Sequence, residues 1–232
     1  MTVEYGEITR ADLDRWIREF ARRIISEHES LSDLDAASGD ADHGSNMERG
    51  MTSLLEALGN WDPGQLPGTF LKEVGLHVVE SVGGSSGALY GTIFLRLARV
   101  VGDAPAVNQR LMVEAFEAAA QGIVDRGKVK RGDKTMFDAL SPAVEALRSE
   151  LTGDRQSWNA AFRAAATAAE GGRDATADMV ARRGKSSYAR LKSRGVIDPG
   201  AASAAMLVCA AAATLGADRD RSSRSEQVLR MS

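Results

Sequence analysis

Three carboxylates occur within eight residues of the chain, at Asp35, Asp40 and Asp42. Charges of one sign at this spacing repel one another unless a cation neutralises them. Mg²⁺ binds one or a few carboxylates and completes its octahedron with water and phosphate oxygens. Asp40 or Asp42 could instead be only a helix cap. Because His43 and Asn46 follow directly, the group as a whole favours a site for metal and phosphate.

The residues after the acidic cluster are predicted to begin a helix. Gly44, Ser45 and Asn46 occupy its first positions, where backbone N–H groups lack intrahelical partners and suit an anion. The place of His43 between Asp42 and Gly44 indicates a phosphate contact. A helix cap or a hydrogen bond to a metal ligand are the alternatives for this histidine.

A second loop, at residues 83–87, reads Gly-Gly-Ser-Ser-Gly. Small residues let the backbone approach a ligand, and the hydroxyls of Ser85 and Ser86 can donate to phosphate oxygens. A flexible turn is the alternative, since such clusters often only connect elements. The chain lacks the glycine-rich P-loop, the dinucleotide fingerprint and the calcium-loop pattern, so those three modes of binding are not supported.

Two further loops exceed what turning the chain requires. Residues 126–136 combine two glycines with several cations, so they are either a phosphate-binding loop or a solvated surface loop. Residues 181–201 form a long connection that ends in Asp198, Pro199 and Gly200, a combination typical of a helix start. A connection of this length usually has a function.

Composition excludes several classes of protein. The 232 residues carry a net charge of −3, which predicts no nucleic-acid partner. The one cysteine cannot form an internal disulfide or a cysteine-rich zinc site. The first residues lack a secretory pattern, and the longest apolar run, at 201–215, falls short of the roughly 20 residues of a membrane span. These observations predict a cytoplasmic protein that does not enter membranes.

The elements that must position these loops are predicted to be helices. Aromatic residues make up only 5% of the chain, which disfavours sheets, and apolar residues recur at helical spacing. Thr9 and Asp12 predict a capping box for the first helix. We predict one all-α domain over residues 1–216 and a polar tail at 217–232. Eight helices are predicted, near residues 9–25, 47–58, 70–78, 89–97, 108–124, 135–151, 156–181 and 200–215.

Four ordered motifs carry a resemblance to a known family. They are GDADHGSNM at 39–47, GGSSGALYG at 83–91, GDKTMFDAL at 132–140 and DPGA at 198–201. With these motifs the chain resembles the ADP-binding L subunits of bacterial dihydroxyacetone kinases and the nucleotide domains of their ATP-dependent relatives. The resemblance implies an antiparallel eight-helix barrel with the nucleotide at one end.

The resemblance also implies roles for individual residues. Asp35, Asp40 and Asp42 would hold two Mg²⁺ ions against the diphosphate of ADP. The phosphates would be surrounded by His43, Gly44, Ser45, Asn46, Ser85 and Ser86, and the adenosine would be bordered by Gly127, Met136, Asp198, Pro199 and Gly200. Two positions depart from the family pattern. Lys185 replaces an arginine, which keeps the charge and loses the planar fork, and Val196 stands where a histidine is common.

The function that the resemblance implies needs partner proteins. A separate K subunit would hold the ketose, and bound ADP would pass on a phosphoryl group received from an M subunit of the phosphotransferase system. Two alternatives remain open: a subunit that exchanges ADP for ATP and serves another small ketose such as erythrulose, or a nucleotide-dependent regulatory binding module. A homodimer is also left open.

Overall fold

The computed structural model describes residues 6–37, 39–152, 157–183 and 193–216. Over these ranges the chain is helical, apart from one isolated bridge between Ile8 and Val107. The nine helices of the described residues are α1 (Arg10–Ser26), α2 (His28–Ala36), α3 (His43–Leu58), α4 (Pro67–Val82), α5 (Gly84–Val101), α6 (Gln109–Gly127), α7 (Met136–Thr152), α8 (Trp158–Ala175) and α9 (Pro199–Leu215). The predicted all-α class is confirmed.

The helices form a closed ring. From α3 to α9 each helix packs against the next one in the chain, and α1 packs against both α9 and α3. Helix α2 lies outside this succession and packs against α3 and α9. The buried apolar faces of the ring helices form a single core. Trp16 of α1 is buried in this core, and its Nε1 donates to the carbonyl oxygen of Leu207 in α9 at 2.9 Å.

Eight of the nine helices of the described residues correspond to predicted helices. The sequence analysis missed α2. Its nine residues, HESLSDLDA, are mostly polar, and Leu31 and Asp35 are the buried ones. So short a segment has no apolar stripe to reveal its period. The predicted capping box of α1 is confirmed, since Thr9 and Asp12 exchange both of its hydrogen bonds.

The predicted boundary of the eighth long helix was wrong at its end. Helix α8 stops at Ala175 rather than at residue 181, and a short 3₁₀ turn, Thr176–Asp178, follows. Thr176 is buried, and its Oγ1 accepts a hydrogen bond from the backbone N of Asp198 at 2.9 Å. This tertiary contact ends the helix where helical periodicity alone would extend it. The predicted start at 156 and the tail at 217–232 lie outside the described residues.

Among the described residues, none of the helices combines the length and the apolar character needed to cross a bilayer. The loops that the sequence analysis singled out meet at one end of the ring.

Two adjacent glycines of α8 test how closely the ring is packed. A Cβ added at Gly172 would lie 2.2 Å from the backbone oxygen of Asp138 in α7, whereas one added at Gly171 would meet no atom within 4 Å. We expect Gly172→Ala to lower the free energy of unfolding by about 1–3 kcal/mol, because the backbone of α7 must shift.

Gly171→Ala is the matched control for this prediction. It should raise the free energy of unfolding by about 0.5–1 kcal/mol, because alanine loses less entropy than glycine in a helix. Urea denaturation followed by circular dichroism measures both variants. Equal effects of the two substitutions would contradict the close contact between α7 and α8.

Candidate functional site

A cavity of about 350 Å³ opens at one end of the ring. It lies where α3, α5, α7 and α9 begin and where α6 ends. The four loops identified in the sequence each contribute to its wall. Residues separated by more than 150 positions, such as Asp35 and Pro199, line the same cavity.

The structure brings most of the predicted nucleotide residues to this cavity. Those that line it are His43, Asn46, Ser85, Ser86, Gly127, Met136, Asp198, Pro199 and Gly200. Gly44 and Ser45 lie beside His43 in the first turn of α3 but are not part of the wall. Lys185 lies outside the described residues. Val196 does not line the cavity, although its backbone carbonyl oxygen accepts a hydrogen bond from Lys134.

The three predicted metal ligands come together at the edge of the cavity. Asp35, Asp40 and Asp42 each offer an oxygen, and these oxygens all lie within 4.8 Å of one another. Asp35 is buried, Asp42 is partly buried and Asp40 is exposed. Three carboxylates of graded exposure are a donor set that suits Mg²⁺, which keeps several of its water ligands.

Asp35 organises this cluster through the backbone. It lies in the last turn of α2, and its Oδ2 accepts hydrogen bonds from the backbone N of Asp42 at 3.0 Å and of His43 at 3.1 Å. These N–H groups belong to the start of α3, where intrahelical partners are lacking. The buried carboxylate therefore fixes the beginning of α3 and its own orientation at the same time.

The loop between α2 and α3 is shaped around the same carboxylate. A Cβ at Gly39 would lie 2.2 Å from Asp35 Oδ1, so only glycine fits there. Ala41 has φ of 60°, in the left-handed region that costs a residue with a Cβ about 1–2 kcal/mol. Such strain concentrates at functional sites, and here it occurs between Asp40 and Asp42.

A chain of buried and partly buried hydrogen bonds joins the loop at residues 83–87 to α9. The Nδ1 of His43 lies 3.0 Å from Ser86 Oγ, and its Nε2 lies 2.9 Å from Ser203 Oγ. Tyr90 donates to Ser203 Oγ at 2.7 Å, and Ser203 in turn donates to the carbonyl of Gly200 at 3.2 Å. His43 is thereby held between the starts of α5 and α9.

Sequence reasoning missed Ser203 and Tyr90. Ser203 lies within the apolar run at 201–215 and is completely buried. A buried hydroxyl in an alanine-rich helix must find hydrogen-bond partners, and that requirement was the available signal. Burial raises the pKa of Tyr90 above its ordinary value, so its phenol remains a donor to Ser203.

The loop at residues 83–87 begins α5 through two residues in left-handed conformations. Gly83 has φ of 74° and Gly84 has φ of 58°, values that glycine adopts without strain. Ser85 and Ser86 then fall in the first turn of α5. Arg49 holds the end of α4 against α3, because its Nη2 donates to Val82 O at 3.0 Å and to Asn46 Oδ1 at 2.9 Å.

The opposite wall is formed by the starts of α7 and α9. Gly200 and Met136 adjoin, since a Cβ built at Gly200 would lie 3.5 Å from the Cβ of Met136, at ordinary van der Waals distance. Asp198 caps α9, with its Oδ2 accepting from the backbone N of Ala201 at 2.8 Å. Burial raises the pKa of Asp198 to about 7, and the cation of Lys134 partly offsets this effect.

The loop before α7 carries buried charges that the sequence did not reveal. Asp133, Lys134 and Asp138 are all buried. Asp138 accepts hydrogen bonds from the backbone N of Gly132 at 2.5 Å and of Thr135 at 2.8 Å. Lys134 lines the cavity and was counted among the loop cations without a role of its own. This loop is thus built from internal polar contacts, and only part of it is a solvated surface.

Comparison with known proteins identifies the family. The DAK2 domain matches residues 37–213. The chain is 39% identical over 194 residues to "PEP-dependent dihydroxyacetone kinase 1, ADP-binding subunit DhaL" of Listeria innocua, covering 83% of this chain and 90% of that protein. It is 37% identical over 196 residues to the Escherichia coli protein "PEP-dependent dihydroxyacetone kinase, ADP-binding subunit DhaL", covering 84% of this chain and 92% of that one.

A solved structure supports the same assignment. The dihydroxyacetone kinase of C. freundii, in complex with AMP-PNP and Mg²⁺, aligns with a TM-score of 0.69 and 26% identity over 91% of this chain. The chain spans about a third of the length of that kinase, 35%. The match of the domain over most of the chain, together with these identities, shows that this protein belongs to the DAK2 domain family.

Proposed function

We propose that this protein is the Mg·ADP-binding subunit of a dihydroxyacetone kinase and relays a phosphoryl group through bound ADP. The observation that carries the proposal is the meeting of Asp35, Asp40 and Asp42 at the edge of a cavity lined by residues of all four sequence motifs. A cavity of about 350 Å³ is within the range of small-molecule and cofactor sites.

The acidic cluster is proposed to hold two Mg²⁺ ions. The metal ions would neutralise the charge of the phosphates. Phosphoryl transfer depends mainly on this charge neutralisation and on positioning. Asp35 keeps the ligands together because it is anchored by the first N–H groups of α3. The exposed Asp40 leaves the outer side of the cluster open to water and phosphate oxygens.

The remaining predicted residues divide between the two ends of the nucleotide. His43, Gly44, Ser45, Asn46, Ser85 and Ser86 are proposed to surround the phosphates. Gly127, Met136, Asp198, Pro199 and Gly200 are proposed to border the adenosine, and Lys185 to approach the nucleotide from residues outside those described. The helix starts at α3 and α5 support the phosphate assignment, because both begin at the cavity and favour an anion.

The proposal requires partner subunits. The Listeria and E. coli relatives are named as ADP-binding subunits, and the alignment covers about nine tenths of each. These names support a role in which the protein acts with a K subunit carrying the ketose. Their description as PEP-dependent supports an M subunit of the phosphotransferase system as donor. The proposal keeps the cytoplasmic location predicted from the sequence.

A second candidate is a subunit that exchanges ADP for ATP. The C. freundii kinase, which aligns with this chain, was crystallised with AMP-PNP and Mg²⁺, and AMP-PNP is an analogue of ATP. In that case free ATP would replace the M subunit as phosphoryl donor, and the ketose could differ from dihydroxyacetone.

Resident ADP distinguishes the two candidates. After extensive desalting in Mg²⁺ without added nucleotide, we expect the heated protein to release about one ADP per chain, because the metal ions and the cavity walls together retain the diphosphate. Chromatography and mass determination identify the released compound. EDTA during desalting should remove it.

The relay itself is tested by reconstitution. With K and M subunits and phosphoenolpyruvate-derived phosphate, the chain should support phosphorylation of dihydroxyacetone without free ATP. Absence of resident nucleotide, combined with turnover that needs ATP and no M subunit, would favour the exchanging enzyme instead. Nucleotide-dependent binding of a partner with no phosphoryl transfer would indicate a regulatory module.

The metal assignment predicts that Asp40→Ala and Asp42→Ala each weaken binding of ADP in Mg²⁺ by more than about 100-fold. Loss of a residue that only orients a metal ligand already costs about 10–100-fold in metal affinity. Isothermal titration calorimetry measures the dissociation constant, and circular dichroism checks that the helical content is unchanged.

Asp33→Ala is the matched control, because Asp33 is an exposed residue of α2 two positions from Asp35. It removes the same charge and lies outside the group of converging oxygens. Unchanged ADP binding in the Asp40 and Asp42 variants, or an equal loss in the control, would disprove the metal assignment.

A further inference from the structure

Lys134 is a lysine inside the protein. Its side chain is 1% exposed, and its Nζ donates to the backbone carbonyl oxygens of Thr176 and Val196. Burial lowers the pKa of Lys134, and the nearby carboxylates of Asp198 and Asp178 act in the opposite direction. A charge in such a place is costly unless hydrogen bonds and opposite charges compensate it, so the contacts of this ammonium group determine where it can lie.

Those contacts join three separate segments of the chain. Lys134 belongs to the loop before α7, Thr176 to the 3₁₀ turn after α8, and Val196 to the turn before α9. Backbone hydrogen bonds accompany the side chain, from Arg182 N to Asp133 O at 3.0 Å and from Gly195 N to Ala177 O at 2.8 Å. The Nζ atom of Lys134 by itself contacts both the turn after α8 and the turn before α9.

The joined segments carry one wall of the cavity. Met136 lies two residues after Lys134, and Asp198 lies two residues after Val196. Gly200 adjoins Met136, because a Cβ built at Gly200 would meet the Cβ of Met136 at 3.5 Å. The contact of Lys134 with Val196 therefore connects the segment that begins α7 with the segment that begins α9. The acidic cluster, His43 and Ser86 belong to α2, α3, α5 and the loop between α2 and α3, outside the joined segments.

A lysine that lines a cavity for phosphate could instead bind the phosphate directly. In this structure the ammonium of Lys134 donates to two backbone carbonyl oxygens. The carboxylates that act on its pKa are those of Asp198 and Asp178, and neither belongs to the acidic cluster. Its hydrogen-bond acceptors belong to the turn after α8 and to the turn before α9.

We propose that Lys134 is a positioning residue, which holds the start of α7 and the turn before α9 at the spacing that the adenosine half of a nucleotide requires. This inference rests on the proposed function, since it concerns the same cavity. It assigns to Lys134 a larger effect on the nucleoside end of the ligand than on its diphosphate end.

The test compares two ligands that share the diphosphate, ADP and inorganic pyrophosphate, each in Mg²⁺. Calorimetry gives their dissociation constants for wild type and for Lys134→Met, Lys134→Gln and Lys134→Arg. Lys130→Met is the matched control, because Lys130 is an exposed lysine of the same loop. Circular dichroism records the helical content of every variant.

We expect Lys134→Met to weaken ADP binding about tenfold or more, the size of effect associated with hydrogen bonds to a charged group. Pyrophosphate binding should change by less than about threefold, as should both ligands with Lys130→Met. Lys134→Arg should bind ADP more tightly than Lys134→Met, because it retains the cation. Lys134→Gln replaces Lys134→Met in the comparison if the methionine variant does not fold. It should likewise weaken the binding of ADP and leave the binding of pyrophosphate within about threefold of wild type.

Other outcomes overturn the inference. Equal loss of ADP and pyrophosphate would show a direct phosphate contact or a general collapse of the site. No loss of ADP, or equal affinity of the arginine and methionine variants, would show that the charge does not position the wall. Loss of helical content in both neutral variants would assign Lys134 to the stability of the fold. Failure of the wild type to bind Mg·ADP at all would instead disprove the proposed function.

Discussion

The hydrogen bonds between the Asp35 carboxylate and the first N–H groups of α3 are the interaction on which the rest of the site depends. They define where α3 begins, and thereby place Asp42 beside Asp35 and direct His43 towards Ser86 and Ser203. The close contact of Gly39 with the same carboxylate and the left-handed Ala41 follow from this arrangement. One buried carboxylate thus links the acidic cluster to the starts of α3 and α5.

Charge is distributed unevenly around the cavity. The cluster of Asp35, Asp40 and Asp42 stands on one side, and on the other the cation of Lys134 is surrounded by backbone carbonyls and carboxylates. A nucleoside diphosphate has the matching asymmetry, with charged phosphates at one end and an uncharged adenosine at the other. The acidic side then needs metal ions to accept the phosphates, whereas the opposite side needs only a wall of defined spacing.

Much of this protein was predictable from local patterns. The capping box at Thr9, the apolar stripes of the long helices and the Pro-Gly start of α9 depend on residues close together in the chain, and the structure confirms them. The four loops were recognised because their glycine, hydroxyl and charge content exceeded the needs of a turn. Helix α2 was not predictable in this way because it is short and mostly polar. The early end of α8 was not, because it depends on the tertiary contact of Thr176 with Asp198.

The sequence by itself determined the helical class, the positions of the loops and the chemistry that their residues can perform. Only the tertiary structure decided which residues share a site and which charges are buried. It joined Ser203 and Tyr90 to His43 and changed Lys134 from one surface cation among several into a contact between three segments. The physical reason is that hydrogen-bond satisfaction and desolvation depend on neighbours in space, which local sequence periodicity does not encode.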